Sequence, residues 1–291
     1  MAWSPEPYIF EAIGTTWQID LPDGLSVSTR EKIFQKIRNR IDIFDRHYSR
    51  FREDSLVFEI SKNAGRYSLP SDAEALFSLY ENLYRLTAGS VTPLIGNILS
   101  DAGYDASYSL EAKSIISPLP WEDVLERKGL QLLVKQPVIL DFGAAGKGYL
   151  IDIVADIIRA EEVSSFCVDA GGDMVYHNSA LPLRVGLEHP TDPTKVIGVA
   201  TILNQSLCGS AGNRRKWGKF HHIINPHTLE SPQNILAIWV VAQTTLLADG
   251  LTTALFFTDP AILQKEFQFE YLIVHQDFSI QISDNFPGEI F

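Results

Sequence analysis

Cysteine and methionine are scarce in this chain, two of each among 291 residues. Cys167 and Cys208 lie far apart, in no spacing that a metal site uses, so they read as reduced, mostly buried thiols. A fold of this length can bury about 75% of its unfolded surface and needs no disulfide staple. Positive charge is also short: Lys+Arg total 24 against Asp+Glu 36, a formal net charge of −12. Such a surface repels nucleic acid and anionic membranes, which makes neither a general partner. No apolar run approaches the ~18 residues of a membrane span, and the stretch at 235–241, among the strongest, falls far short. The opening residues Met-Ala-Trp-Ser-Pro-Glu-Pro carry no basic n-region, apolar h-region or lipidation cysteine, so a cytoplasmic location is expected of the chain as given. H-E-x-x-H, G-x-S-x-G and clustered Cys/His are missing too, which leaves zinc-hydrolase and serine-hydrolase readings without support.

What is present is ordinary for a globular protein: 45% hydrophobic and 21% charged residues, with 19 Gly and 15 Pro dispersed. There is no internal repeat, low-complexity tract or charged linker, so one domain over residues 1–291 is expected. Residues 8–19 read as a strand with a glycine irregularity. Helices are expected at 28–47 and 71–87, with Ser71 and Asp72 as candidate caps of the second. The segment 101–120 is polar and turn-rich. Beyond it come a strand at 130–140, a helix at 147–160 and strands at 165–169, 183–187, 196–203, 221–224 and 236–242. A helix at 248–257, a short one at 261–266 and strands at 270–275 and 279–282 complete the pattern. Hairpins mixed with helices imply an α+β fold of layered mixed or antiparallel sheets with packed helices.

Chemistry-bearing residues concentrate in three segments. In the first, at 138–152, an apolar strand runs into Asp141-Phe-Gly-Ala-Ala-Gly-Lys147-Gly and then a helix whose Leu150, Ile153, Val154, Ile157 and Ile158 form an apolar stripe. Glycine permits close approach of a ligand, the helix start offers N–H groups to an anion and Lys147 adds a point charge. It is not a Walker A loop, because Gly148 stands where a Ser or Thr would hold magnesium. A plain strand-to-helix turn with a solvated lysine is the alternative. In the second, Asp249, Thr252 and Thr253 stand at i, i+3 and i+4 on one helix face, oxygen ligands that suit Mg²⁺. The alternative is a capping Asp with threonines bonded to their own backbone. In the third, a small-residue loop at 206–212 leads to Arg214-Arg-Lys216, able to neutralise phosphates, and then to His221-His-Ile-Ile-Asn-Pro226. The two histidines should face opposite sides of a strand, so at most one reaches a given site. A hairpin with a solvated basic tip is the alternative there.

Taken in order, Ile13-Gly-Thr15, Tyr48-Ser-Arg-Phe-Arg-Glu-Asp-Ser55, Gly89-Ser-Val-Thr-Pro-Leu94, residues 140–152, Val168-Asp-Ala-Gly-Gly-Asp173, Ser210-Ala-Gly212, His222-Ile-Ile-Asn-Pro226 and Ala248-Asp-Gly-Leu-Thr-Thr-Ala254 make the chain resemble the ApbE family of flavin transferases. The resemblance runs from about residue 10 to 257 and implies an ApbE-like, T-fold-like architecture. It implies transfer of FMN from FAD to a threonine of an acceptor protein, with Mg²⁺ as cofactor and AMP released. Carried over residue by residue, it places Ile13, Phe51, Ser90, Val91, Thr92, Asp141, Lys147 and Ile224 against FAD. It gives Mg²⁺ to the backbone of Ala144 with Asp249 and Thr253, Thr252 lying beside them, and makes Gly171-Gly172 a tight turn near the site. His222 is the candidate general base, since an imidazole of pKa about 6.5 suits that task at neutral pH. Three positions depart from the family pattern: Asn225 for a usual Asp, Leu229 for a glycine, and Thr92 for a common Asp. Asn225 and Leu229 motivate one alternative, an FAD-binding protein that transfers nothing; a second is a Mg²⁺-dependent FAD pyrophosphatase that uses water and yields FMN and AMP.

Overall fold

The computed structural model describes residues 6–213 and 216–291. The chain opens with a hairpin, β1 (Tyr8–Ala12) and β2 (Thr15–Asp20), followed by α1 (Val27–Tyr48), α2 (Leu56–Lys62), β3 (Gly65–Ser68) and α3 (Ala73–Leu86). A 3-10 turn at Pro93–Ile95 leads into α4 (Gly96–Asp101), α5 (Trp121–Val124), β4 (Leu125–Lys128), β5 (Gln131–Val134) and α6 (Gly146–Ala160). Strands β6 (Phe166–Ala170), β7 (Asp173–His177), β8 (Leu183–His189), β9 (Asp192–Ile202), β10 (Gln205–Ala211), β11 (Lys216–Trp217), β12 (Phe220–His221) and β13 (Ile235–Ala242) follow. The remainder is α7 (Thr245–Ala254), α8 (Pro260–Leu263), β14 (Phe269–His275), β15 (Ile280–Ile282) and β16 (Gly288–Ile290).

An eight-stranded antiparallel sheet, in the order β1-β2-β6-β7-β10-β13-β14-β15, separates two apolar layers. The period-2 alternation of a strand explains how. Phe166, Val168, Ala170, Val175, Ile238, Val240 and Ile273 point into the main core under α1, α3, α6 and α7. Their neighbours Cys167, Met174, Tyr176, Val241, Leu272 and Val274 point the other way, onto Leu187, Ala200 and Ile202 of the three-stranded sheet β16-β9-β8. Both cysteines are free and buried, one on each side of the sheet. Helix α1 follows the same logic at helical period: Ile33, Ile37, Ile41, Phe44 and Tyr48 are buried. Its start is fixed by Ser26, whose Oγ accepts the Thr29 N–H at 3.1 Å.

Several elements differ from the sequence expectation, each for an identifiable reason. Residues 8–19 are two strands, because Ile13 (φ 44°) and Gly14 (φ 77°) make a two-residue turn with both residues left-handed. The expected strand at 130–140 ends at Val134, short of Pro137, which has no N–H for a ladder. The strand at 221–224 shrinks to Phe220–His221, since the Ile223 N–H donates at 3.3 Å to the Nδ1 of His221. The small-residue segment read as a loop at 206–212 is mostly the inner strand β10, paired with β7 and β13. Its residues are small because α7 lies directly on it: Ser206 and Ser210 share hydrogen bonds of 2.9 Å with Thr245 and Thr252. The candidate cap Asp72 makes no side-chain cap bond and instead takes an ion pair from Arg40 and a 3.0 Å hydrogen bond from Tyr48.

Candidate active site

Where α6 and α7 cross beside the ends of β6, β7 and β10, the chain leaves a cleft of about 1190 Å³. Small residues permit the close crossing. A Cβ on Gly148 would sit 2.2 Å from the Thr245 carbonyl oxygen and 2.6 Å from Asp249 Cβ. Asp152, one turn further along α6, locks the crossing with its carboxylate: Oδ1 accepts the Thr245 N–H at 2.9 Å and Oδ2 the Leu246 N–H at 2.8 Å. Both donors lie in the first turn of α7, where a helix has no internal partners for them. Burial nevertheless holds the Asp152 carboxyl above its ordinary range, outweighing those bonds.

The glycine turn before α6 is organised by Asp141, a buried residue. Its Oδ1 accepts the Gly143 N–H at 2.7 Å, its own N–H donates to the Pro93 carbonyl at 2.8 Å, and Arg50 Nε donates to Oδ2 at 2.5 Å. A side chain at 143 would collide with that carboxylate, its Cβ 2.8 Å from Oδ1. Arg50 also donates to the Tyr104 carbonyl at 2.7 Å and lies over the Phe51 ring at 4.1 Å from its centroid. Phe51 in turn stacks on Tyr108, with centroids 5.7 Å apart and planes 12° from parallel. One end of the cleft is therefore an aromatic wall backed by a guanidinium.

Elsewhere in the lining, Lys147, in the first turn of α6, makes an ion pair with Asp173 and lies 3.8 Å from Asp249 Oδ1. Asp249 is 5% exposed, and its Oδ2 accepts the Gly148 N–H at 2.8 Å. As the third residue of α6, Gly148 has no acceptor for that N–H within its own helix, and Asp249 supplies one across the crossing. The Ala144 N–H is held by the hydroxyl of Tyr80 at 3.2 Å. Burial, with Asp141 and Asp249 close by, pushes the Tyr80 phenol well above its usual pKa, so it stays neutral. Burial likewise raises the Asp169 carboxyl and the Cys208 thiol.

Ile13, Phe51, Ser90, Val91, Thr92, Asp141, Ala144, Lys147, His222, Ile224, Asp249 and Thr253 all line this one cleft, as do Gly171 and Gly172 in their tight turn. Segments as distant in sequence as β1–β2 and α7 thus converge. Thr252 does not join them. It is fully buried, its hydroxyl donating to the Asp249 carbonyl at 2.7 Å and bonded to Ser210, so the face shared by Asp249, Thr252 and Thr253 is split by packing. The histidines divide, although His222 lies just past the end of β12. His222 borders the cleft, while His221 is 3% exposed and bonds through Nε2 to the Pro232 carbonyl at 2.9 Å. Burial lowers the His221 pKa. Lys216 lines the cleft; Arg214 and Arg215 lie outside the described residues.

Sequence reasoning passed over Arg50, Asp152, Asp173, Tyr104 and Tyr108. Arg50 and Asp173 sit inside quoted motifs without a role, and only Asp173 carried a signal, an acid directly after a Gly-Gly turn. Asn225 does not border the cleft: its Oδ1 accepts the N–H groups of His227 (2.8 Å) and Thr228 (3.3 Å), a turn role that either an amide or a carboxylate oxygen fills. Leu229 takes the left-handed φ of 59° that a glycine would adopt freely.

The model of the ApbE family matches residues 13–271. The chain belongs to the ApbE family. It is 24% identical over 288 residues to the FAD:protein FMN transferase of Klebsiella pneumoniae (strain 342), covering 91% of this chain and 82% of that one. The FAD:protein FMN transferase of Haemophilus influenzae is 26% identical over 298 residues, with 92% and 86% covered. Among solved structures, the ApbE protein of Thermotoga maritima superposes with a TM-score of 0.85 at 21% identity, over 98% of this chain and 99% of that one. The flavin transferase ApbE of Vibrio cholerae gives 0.80 at 17% identity, over 97% of each chain. The ApbE fold is therefore present along nearly the whole length. Among the described residues, no helix is long and apolar enough to cross a membrane.

Proposed function

We propose that this chain, acting as one domain over residues 1–291, is a Mg²⁺-dependent FAD:protein FMN transferase. It would move FMN from FAD to a threonine hydroxyl of an acceptor protein and release AMP. The observation that carries the reading is the convergence of Lys147, Asp249, Thr253, Asp141 and His222 on one cleft, in a chain whose family relatives are named for that reaction. The aromatic wall of Phe51 and Tyr108 suits a planar ring of FAD, and Lys147 suits its pyrophosphate. The free, buried thiols Cys167 and Cys208 fit a reducing, cytoplasmic setting.

The residues at the α6–α7 crossing fit a hard cation. Asp249 supplies a carboxylate, Thr253 a hydroxyl, and Ala144, which lines the same cleft just before α6, a backbone carbonyl. No group of three or more His, Cys, Asp or Glu gathers among the described residues, so the donors would be oxygens of mixed type, with waters and substrate phosphates completing the shell. When bound there, Mg²⁺ would neutralise charge on the FAD pyrophosphate. Lys147 adds a second positive charge on the same side. His222 takes the proton from the acceptor threonine Oγ as that oxygen bonds to the FMN-side phosphorus. The bond from that phosphorus to the bridging oxygen breaks, and AMP leaves with the electron pair. Positioning and charge neutralisation carry most of the catalysis in such a transfer.

Chromatography of nucleotides after incubation with FAD and Mg²⁺, with and without an acceptor peptide, tests this reading. AMP formation that needs both peptide and Mg²⁺ supports it. Equimolar FMN and AMP without peptide would instead make the protein a pyrophosphatase, and intact bound FAD a flavin-binding protein.

A further inference from the structure

Lys147 stands between two buried carboxylates, and only one of them belongs to the set that would hold Mg²⁺. Asp173 begins β7 immediately after the Gly171-Gly172 turn, and its side chain is 5% exposed. Its two oxygens have different partners. Oδ1 accepts the Gly209 N–H of β10 at 2.8 Å, which fixes the carboxylate to the sheet, and Oδ2 pairs with the Lys147 ammonium. Asp249 Oδ1 lies 3.8 Å from the same ammonium, a looser contact. A lysine is a point charge on a flexible stem, so its ammonium can be shared unequally between the two carboxylates.

We propose that Asp173 is a positioning residue that draws the Lys147 ammonium toward β7, leaving Asp249 only the longer of the two ion pairs, and so limits how far that ammonium neutralises Asp249 against a divalent cation. The inference rests on the proposed metal role of Asp249. With Asp173 in place, the ammonium leans toward β7, while the residues that would hold the cation, Asp249 and Thr253, come from α7. Without the Asp173 charge, the ammonium moves the short distance to Asp249, neutralises it and competes directly with the cation. A fixed pair thus keeps two positive charges apart at one anionic substrate.

Asp173→Asn isolates the effect, because the amide oxygen still accepts the Gly209 N–H and only the charge facing Lys147 is lost. Binding of Mn²⁺, followed by the electron paramagnetic resonance signal of the free ion with FAD present and no acceptor, is the readout. Thermal unfolding of each variant checks that it is folded. Mn²⁺ binding by Asp173→Asn is expected to weaken about tenfold or more, the scale of a unit charge gained a few ångströms away in a partly buried site. Adding Lys147→Ala to Asp173→Asn should restore binding to near the wild-type level, since the competing ammonium is gone. A loss through misfolding or a loosened sheet would not be reversed by a second deletion. Equal Mn²⁺ binding by Asp173→Asn and wild type overturns the proposal, as does a double variant no better than the single. Wild-type protein that binds no Mn²⁺, or an Asp249→Asn variant that binds it as well as wild type, would overturn the metal role itself.

Discussion

Removing the Asp152 carboxylate should loosen the helix that carries Asp249 and Thr253 without touching the cleft. Two backbone donors in the first turn of α7, Thr245 and Leu246, lose their acceptors in Asp152→Ala. Hydrogen bonds to a charged acceptor contribute roughly 1.5–3 kcal/mol each. The buried carboxylate is costly to hold, as its raised pKa records, and relief of that cost offsets part of the loss. A net destabilisation of about 2 kcal/mol remains, within the range of a lost helix cap. That corresponds to roughly 4–8 °C in Tm on the usual scale for large domains. Asp152→Asn keeps one acceptor and should lose about half as much. Because the folded carboxyl is raised, the native state holds its proton more tightly than the unfolded chain. The wild type is therefore favoured below the ordinary carboxylate pKa of about 3.9 and loses that advantage as pH rises through the raised value. The deficit of Asp152→Asn should accordingly be larger in acid than at neutral pH. Urea denaturation at several pH values reads all of this. Asp152→Ala within about 0.5 kcal/mol of wild type, the scatter of an inconsequential surface change, would refute the assignment of Asp152 as the lock.

Gly148→Ala should cost about 1–3 kcal/mol by overpacking, since its Cβ would meet the Thr245 carbonyl at 2.2 Å; unchanged stability in urea would show that the helices can part. Leu229→Gly should leave the urea midpoint within about 1 kcal/mol of wild type, because relief of left-handed strain at φ 59° is offset by the freedom of glycine in the unfolded chain and by lost packing beside Trp217 and Phe220. Burial lowers the His221 pKa, so its contribution is present above the unfolded value of about 6.5 and lost as pH falls through the folded one. A His221→Gln variant should show a flatter fall of Tm below pH 6.5 than wild type. His222→Ala should slow transfer by roughly 10²–10⁴-fold with FAD affinity unchanged, and a wild-type rate would remove it as the base.

The sequence made the layered α+β fold and the site-bearing segments legible because both are written in local pattern. Buried strands such as β13 and the Leu150, Val154 and Ile158 part of the α6 stripe follow from apolar periodicity, and the ordered motifs hold Asp141, Lys147, Asp249 and His222, which the structure brings to one cleft. Strand β10 escaped notice because its serines answer to the helix lying on it, contacts 39–42 residues away in sequence that no local window contains. Arg50 and Asp152 were missed for the same reason: their partners, Asp141 and the start of α7, lie about 90 residues distant. Thr252 was placed with Asp249 on helical spacing alone, which cannot say that packing against Ser210 turns its hydroxyl from the cleft. The turn at Asn225 shows the converse, a departure from the family pattern whose hydrogen bonds preserve the local geometry.

Intact mass of an acceptor peptide is the most direct measurement. The peptide should carry a single threonine and be incubated with the protein, FAD and Mg²⁺, beside the same peptide with that threonine replaced by alanine. A mass gain of one FMN on the threonine peptide, none on the alanine peptide and matching AMP is the expected result. FAD consumed with no mass gain on either peptide, or the same gain on both, would contradict transfer to a threonine hydroxyl.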